Sequence, residues 1–131
     1  MNAILLVDTS VLVDHLRGVE AATGVLAGAL GSGRLLASSV LCRLEVQAGT
    51  RRGEERRTNR MLEAIEWWPV DEPVLDRAAS LARRHGPTNR GIGAVDYCLA
   101  ATAMLLDADL ATTNVKHFPM FTGLSAPYAP S

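Results

Sequence analysis

Four oxygen-bearing side chains stand out by their places in the chain. Asp8 comes directly after an apolar run of strand length, and Asn114 comes just past a later one. Glu45 lies within a predicted helix, and Asp96 lies at the start of another. Three carboxylates and one carboxamide form the all-oxygen ligand set that Mg²⁺ or Mn²⁺ prefers. The expected chemistry is therefore that of a bound divalent cation.

Each of these residues also has a purely structural interpretation. Asp8 and Asp96 could cap the helices that follow them, which is a common role for aspartate. Glu45 could be an exposed helix residue, and Asn114 could belong to a turn. Function is favoured for Asp8 because ligands of parallel sheets bind outside the carboxyl ends of the strands.

The elements that must position these side chains alternate between strands and helices. We predict strands, in chain order, at Ile4–Val7, Leu35–Ala37, Val70 and Leu110–Thr112, with at most one further edge strand around Leu124. This alternation predicts an α/β fold, a three-layer α/β/α sandwich with a short central parallel sheet of four to five strands. The carboxyl ends of its strands would bring the oxygen side chains together.

Apolar residues at helical spacing predict the helices between these strands. The third helix is expected to bury one face, made of Val40, Leu41, Leu44 and Ala48. Asp71 or Glu72 followed by Pro73 predicts the start of a later helix that Gly86 ends. The helix from Tyr97 to Leu106 is apolar almost all round, so it should be the most buried.

Composition excludes several classes of protein. The 131 residues, 48% of them hydrophobic, predict one globular domain over residues 1–131. Thirteen basic against fourteen acidic residues give a net charge of −1, which argues against a protein that coats nucleic acid by bulk charge. The first apolar run is too short for a signal peptide or a membrane span, so a soluble cytoplasmic protein is expected. Cys42 and Cys98 lack the spacing of a zinc site or a disulfide framework.

A local basic segment allows two interpretations. Residues 51–60 contain five arginines and two glutamates, a local charge of +3. The segment could be a solvated face with charges paired along the chain. It could instead hold a phosphate backbone, in which case the candidates for nucleic-acid binding are Arg51, Arg52, Arg56 and Arg57. The three histidines have no ligand spacing and are expected at the surface or the edge of the core.

Four segments, in this order and spacing, resemble a known family along essentially the whole chain. They are residues 7–14 (VDTSVLVD), residues 44–46 (LEV) with Gly49, residues 95–103 (VDYCLAATA) and residues 111–118 (ATTNVKHF). The family is that of the PIN-domain ribonucleases, and within it the VapC-type toxins of bacterial toxin–antitoxin pairs. The fold that this resemblance implies is the PIN-like α/β/α sandwich.

The resemblance also implies roles for particular residues. Asp8, Glu45 and Asp96 match the acidic cluster that holds Mg²⁺ or Mn²⁺, and Asn114 matches the fourth catalytic position. The polar residues that match those supporting the cluster are Thr9, Ser10 and Thr112. The chain departs from the commonest pattern in its last segment, where many relatives carry a fourth carboxylate and this chain has Asn114 and His117.

The activity implied by the resemblance is that of a metal-dependent endoribonuclease toxin that cleaves structured RNA such as tRNA or rRNA. Its partners would be a cognate VapB-type antitoxin, the RNA substrate and a second copy of the toxin, assembled in a toxin–antitoxin hetero-oligomer. The resemblance implies no association with a membrane. An amphipathic segment of the antitoxin would enter an apolar groove near the first helices.

Three other functions remain open on the sequence alone. Asn114 allows a catalytically weak PIN-like module that binds RNA without cleaving it. A phosphoacceptor receiver domain has a similar length and a late lysine, here Lys116, but Asp71 is the sole candidate acceptor. A phosphatase of the haloacid dehalogenase type needs a second aspartate after the first strand, where this chain has Ser10.

Overall fold

The computed structural model describes residues 1–129 and contains a four-stranded parallel sheet flanked by helices. The strands are β1 (Ile4–Val7), β2 (Leu35–Ser39), β3 (Glu66–Trp68) and β4 (Asp109–Ala111). The helices are α1 (Thr9–Leu16), α2 (Glu20–Gly31), α3 (Val40–Ala48), α4 (Glu55–Glu63), α5 (Glu72–His85) and α6 (Ala94–Leu106), followed by a 3₁₀ turn at Val115–His117. The predicted α/β/α architecture is confirmed.

The strand order β3-β2-β1-β4 places β1 in the interior of the sheet. Strand β1 pairs with β2 on one side, with Leu6 opposite Ala37, and with β4 on the other, with Val7 opposite Ala111. The chain therefore runs from β1 toward one edge and returns at β4 to the opposite side. Ligands of open α/β sheets bind at such a reversal of strand order, outside the carboxyl ends of the strands.

The two faces of the sheet bury separate apolar clusters. Leu5 and Val7 pack with residues of α1, α2 and α4 on one face. Leu6 points to the other face and packs with α5 and α6. This alternation follows from the two-residue period of a strand, and it explains why β1 is apolar throughout. Helix α6 buries every residue from Tyr97 to Ala103, so its predicted deep burial is confirmed.

Several predicted elements differ from the structure in detail. The third strand ends at Trp68, before Val70, because Pro69 has no N–H to donate to a strand partner. Residues around Leu124 form no strand. Helix α6 begins at Ala94, so Asp96 occupies its third position while Gly93 is the N-cap.

The buried face of α3 was wrongly predicted. Cys42 and Val46, one helical turn apart, are the side chains that α3 buries. Leu44 is 62% exposed, and Val40 is exposed as well. Cys42 and Val46 pack with residues of the sheet, and this packing sets the rotation of the helix, while the Ser39 hydroxyl accepts the Leu41 N–H and caps the first turn.

Within residues 1–129, no helix is both long and apolar enough to cross a lipid bilayer.

Candidate functional site

Asp8 joins the central strand to the first helix. Its backbone N–H donates to the Ala111 carbonyl at 2.9 Å, which ties the end of β1 to the end of β4. Its side chain caps α1, with Oδ1 accepting the Thr9 N–H at 2.8 Å. The residue is almost completely buried, at 4% exposure. The predicted capping role and the predicted place at a strand end therefore both hold for Asp8.

Two hydroxyl groups support the other oxygen of Asp8. Thr112, buried just past β4, donates to Oδ2 at 2.7 Å, and Ser10 donates to the same atom at 3.3 Å. Both hydroxyls also fix the last segment, because Thr112 Oγ1 accepts the Asn114 N–H and Ser10 Oγ accepts the Thr113 N–H. One network thus connects the ends of β1 and β4.

Burial raises the pKa of Asp8 above its usual value, and the nearby charge of Asp96 raises it further. The hydrogen bonds from Thr112, Thr9 and Ser10 act in the opposite direction. The ionised carboxylate is therefore disfavoured by its surroundings although it is well hydrogen-bonded. A positive charge beside Asp8 and Asp96 would remove this penalty.

Glu45 and Asp96 reach the same place from two other helices. Glu45, exposed on α3, accepts the Thr9 hydroxyl at 2.7 Å through Oε1. Asp96 lies in the first turn of α6, where Oδ2 accepts the Gly93 N–H at 3.4 Å. Both carboxylates line a cavity of about 430 Å³ at the carboxyl ends of the strands, together with Asp8, Thr9, Ser10, Val13, Asp14, Thr113, Asn114 and His117.

The donor set of this cavity fits a hard cation. Its acidic groups come from three different elements, and Asn114 adds a neutral amide oxygen. Across residues 1–129, no three side chains of the histidine, cysteine, aspartate or glutamate type lie close enough together to hold an ion by themselves. Mg²⁺ is bound in proteins through one or two carboxylates, with water and substrate phosphate completing its shell.

The structure also brings Asp14 and His117 to the cavity, and the sequence had predicted neither as a site residue. Asp14 lies one helical turn after Ser10, and its Oδ2 accepts the Tyr128 hydroxyl at 2.7 Å. The four-residue spacing from Ser10 could have placed it on this face of α1. His117, expected at the surface or the edge of the core, lies with Nδ1 3.1 Å from Asp96 Oδ2.

The arginines proposed to bind nucleic acid do not line this cavity. Arg51, Arg52 and Arg56 are exposed. Arg57 donates to the Leu16 carbonyl at 3.0 Å and so connects its segment to the end of α1. Glu54 pairs with an arginine outside its own segment. Its two carboxylate oxygens accept hydrogen bonds from the Arg17 guanidinium at 3.0 and 2.9 Å.

Asp71 has a structural role. It is the N-cap of α5, where Oδ1 accepts the Val74 N–H at 3.2 Å. It does not line the cavity of Asp8.

A second depression lies between α1, α2 and α4, with a volume of about 440 Å³. Its lining includes the apolar side chains of Leu26, Ala27, Leu30, Met61, Ala64 and Ile65. His15, Arg57 and Arg60 also line it and supply its basic groups. We refer to this depression as the apolar groove.

Comparison with known proteins finds a matching family model and a similar curated protein. The family model of the PIN domain matches residues 5–119. The chain is 46% identical over 123 residues to a protein of Mycobacterium tuberculosis named ribonuclease VapC19, covering 94% of this chain and 98% of that protein.

Solved structures share the fold. One is a toxin–antitoxin complex from Klebsiella pneumoniae, with a TM-score of 0.77 and 26% identity over 95% of this chain and 98% of that one. Another is VapBC2 from Rickettsia felis bound to a DNA fragment of its promoter, with a TM-score of 0.76 and 20% identity over 92% of this chain and 95% of that one.

Proposed function

The chain belongs to the PIN-domain family, as a member of VapC type, and on this premise we propose that it is a metal-dependent endoribonuclease toxin. The observation that carries the proposal is the single cavity at the strand ends, lined by Asp8, Glu45, Asp96 and Asn114. The four residues are far apart in sequence, and a purely structural role for each would not require them to share one cavity.

The residues that would hold Mg²⁺ or Mn²⁺, directly or through bound water, are Asp8, Asp96 and Glu45, with Asn114 as a neutral oxygen donor. When bound, the cation supplies a lowered pKa for water and stabilisation of charge on the phosphoryl oxygens. Thr9, Ser10 and Thr112 hold the carboxylates in place, because each donates a hydrogen bond to Asp8 or Glu45.

Glu45 is the residue proposed to act on the attacking water. Its Oε1 is held by the Thr9 hydroxyl, and Oε2 can accept a proton from the water. The water oxygen forms a bond to phosphorus in line with the bond to the 3′-oxygen, which breaks. The products are a 5′-phosphate and a 3′-hydroxyl, the latter formed when the leaving oxygen takes up a proton.

The substrate that we propose is structured cellular RNA, tRNA or rRNA, cut in a single-stranded loop. The exposed side chains of Arg51, Arg52 and Arg56 and the guanidinium of Arg57 would hold the flanking backbone by contacts that carry no sequence information. The cellular compartment would be the cytoplasm, where these RNAs lie.

Substitution of the cavity carboxylates Asp8 and Asp96 tests the proposal directly. We expect purified Asp8→Asn and Asp96→Asn proteins to lose Mg²⁺-dependent cleavage of total RNA. Asp76→Asn is the matched control, because Asp76 is an exposed carboxylate on α5 that does not line the cavity. Full cleavage by either cavity variant would show that the site is wrongly assigned. Sequencing of new 5′ ends after a brief pulse of expression identifies the RNA.

A non-cleaving RNA-binding module is the second candidate, favoured by the missing fourth carboxylate at Asn114 and His117. The same preparation distinguishes the two. RNA binding without cleavage in Mn²⁺ would support the module, and cleavage that the Asp8→Asn variant lacks would support the enzyme.

We further propose that the apolar groove receives a VapB-type antitoxin. The proposal is supported by the solved VapBC relatives and by the lining of the groove, which suits a helix with an apolar face and acidic flanks. Arg57 and Arg60 would meet the acidic flanks. Toxicity on expression should disappear when the antitoxin encoded by the adjacent gene is co-expressed. A toxin homodimer at the centre of the complex would be visible by sedimentation.

A further inference from the structure

A polar groove of about 430 Å³ runs along the exposed face of α5. Arg77, Ser80 and Arg84 line it and are all exposed. Their spacing along the helix, three residues and then four, places them on one face. The facing wall includes Met104 of α6 and Met120 of the segment that follows the 3₁₀ turn. We refer to this depression as the α5 groove.

The charge of the α5 groove is basic. Arg77, Arg84 and His85 line it, and of the residues 1–129 no acidic one does. Neither arginine forms a salt bridge with any residue that the structure describes. Arg77 donates to the Met104 sulfur at 3.8 Å, and a thioether is a weak acceptor. The two guanidinium groups can therefore bind an anion such as a phosphate, to which arginine donates in pairs.

The end of a helix offers a structural reason for part of this charge. Basic side chains stabilise the last turn of a helix, and the last turn of α5 carries Arg83, Arg84 and His85. Arg77 lies about two turns earlier, beyond the reach of this effect. Arg83 is exposed in the same last turn but does not line the groove. The helix end thus does not explain why Arg77 and Arg84 share one surface.

Helices α5 and α6 lie antiparallel, which sets the direction of the groove. Arg77 contacts Met104 near the end of α6. Gly86, just after α5, lies near the start of α6, where an added Cβ would be 3.8 Å from the Tyr97 hydroxyl. The end of α5 that carries Arg84 therefore meets the start of α6.

The start of α6 also lines the cavity at the strand ends, through Asp96. The segment after β4 makes a second connection, because His117 lines the cavity and Met120 lines the groove. Arg84 is closer to the cavity than Arg77 is, by about 10 Å of helix. A polynucleotide strand that leaves the cavity on this side would therefore follow the groove.

The cavity by itself repels a phosphate backbone. Asp8, Asp14, Glu45 and Asp96 line it, and one divalent cation would compensate for only part of their charge. RNA that enters the cavity therefore needs basic groups for the phosphates that flank the cut. Helix α4 packs on one face of the sheet and α5 on the other, so the basic segment at residues 51–60 and the α5 groove lie on opposite sides.

We propose that the α5 groove holds the phosphate backbone of a single RNA strand on one side of the cut bond, with Arg77 and Arg84 as the phosphate contacts. The inference rests on the proposed function, because it concerns the substrate of the same site. RNA is favoured over an acidic protein segment because the groove leads to the cavity of the proposed nuclease. Contacts of this kind hold and orient a strand without reading its sequence.

The test measures binding of a fluorescein-labelled single-stranded RNA to the purified full chain, by fluorescence anisotropy in chelator over a series of KCl concentrations. We expect Arg77→Gln and Arg84→Gln each to weaken the Kd about threefold to fivefold at low salt. Each should also reduce the slope of log K against log salt by about 0.7, the value for one phosphate contact with a single strand.

Two control variants separate a contact from a general effect of charge. Arg83→Gln removes the same charge from the same turn but does not alter the groove, so its affinity and salt slope should stay close to those of the wild type. Arg84→Lys keeps a positive charge for the phosphate and should keep the slope.

Cleavage in Mg²⁺ gives a readout that a purely structural role would not produce. The Arg77→Gln/Arg84→Gln double variant should raise KM about tenfold and leave kcat unchanged, because its contacts hold RNA equally in the ground state and the transition state. Thermal melting of each variant checks that it is folded.

Four results would overturn the proposal. Wild-type affinity and slope in the double variant would refute the groove, while loss of cleavage in Asp96→Asn would leave the proposed function standing. Equal weakening by Arg83→Gln and Arg84→Gln would show a general effect of charge. Loss of antitoxin binding in the double variant, with RNA binding unchanged, would show that the groove takes an acidic protein segment. A wild-type chain that cleaves RNA in Mg²⁺ but does not bind it in chelator would exclude contacts that need no cation.

Discussion

The polar cavity at the strand ends and the apolar groove between α1, α2 and α4 have nearly equal volumes, about 430 and 440 Å³. They are built in opposite ways. The cavity gathers residues from distant parts of the chain and fixes them by hydrogen bonds, as Thr112 fixes Asp8. The groove presents apolar stripes of neighbouring helices. The contrast indicates a site prepared for a small charged ligand and another for a polypeptide.

The largest expected effect is a loss of RNA cleavage that leaves antitoxin binding unchanged. Asp96→Asn removes a carboxylate from the cavity and leaves the groove unchanged. We expect RNA cleavage to fall by at least about 100-fold, because the substitution alters a proposed ligand and not merely its support. The affinity for the antitoxin, measured by titration calorimetry, should stay the same. A parallel loss of both would show that the two regions are not independent.

The converse substitution should spare cleavage. Leu30 lines the groove and is 51% exposed, so Leu30→Asp leaves the core intact. A charge in the apolar contact should weaken antitoxin binding by about 30-fold, an effect of about 2 kcal/mol. Leu75→Asp is the matched control, because Leu75 is also 51% exposed and lies on α5. Equal loss of binding in both variants would argue against the groove.

The support of Asp8 should contribute less than Asp8 itself. Thr112→Val keeps the shape of a fully buried side chain but removes its donor to Oδ2 and the acceptor of the Asn114 N–H. We expect about tenfold slower cleavage and a loss of about 2 kcal/mol in the free energy of unfolding, measured in urea. Thr102→Val should change both little, because the Thr102 hydroxyl donates to a helix carbonyl.

The smallest effect concerns how the thermal stability of the metal-free protein depends on pH. Because burial and Asp96 raise the pKa of Asp8, the folded state binds its proton more tightly than the unfolded state does. The stabilisation from protonated Asp8 is present at low pH and is lost as the pH rises through the raised pKa. Asp8→Asn should therefore have a higher Tm than the wild type at neutral pH.

The measurement is thermal melting in chelator over a series of pH values. The advantage of Asp8→Asn should shrink as the pH falls through the Asp8 pKa. A constant difference in Tm over the whole series would mean that Asp8 does not titrate as its surroundings require.

The sequence predicted the cavity better than it predicted the helix faces. Asp8 and Asn114 follow strands, and parallel strands bring their carboxyl ends to one edge, so a local pattern was enough to place them. The burial of α3 failed because Leu44 fits the helical period as well as Val46 does, and only packing against the sheet selects between them. Element type was recoverable, but the rotation of a short helix was not.

His117 lies near the surface, as expected, but the sequence did not predict its contact with Asp96. Its contact with Asp96 depends on the single turn Val115–His117, and no apolar period or ligand spacing marks such a turn. The basic segment was ambiguous for a different reason, since Glu54 accepts hydrogen bonds from Arg17, 37 residues away. Long-range pairing of charges is invisible to a count of neighbours along the chain.

Helix α1 forms part of both regions, with Thr9, Ser10 and Asp14 facing the cavity and His15 facing the groove. Two ligands that touch the same eight-residue segment share a thermodynamic cycle. Whatever factor the cation adds to the affinity for a partner in the groove, that partner must add to the affinity for the cation. A Kd for Mn²⁺ that is the same with and without the partner would therefore show that the two regions are independent.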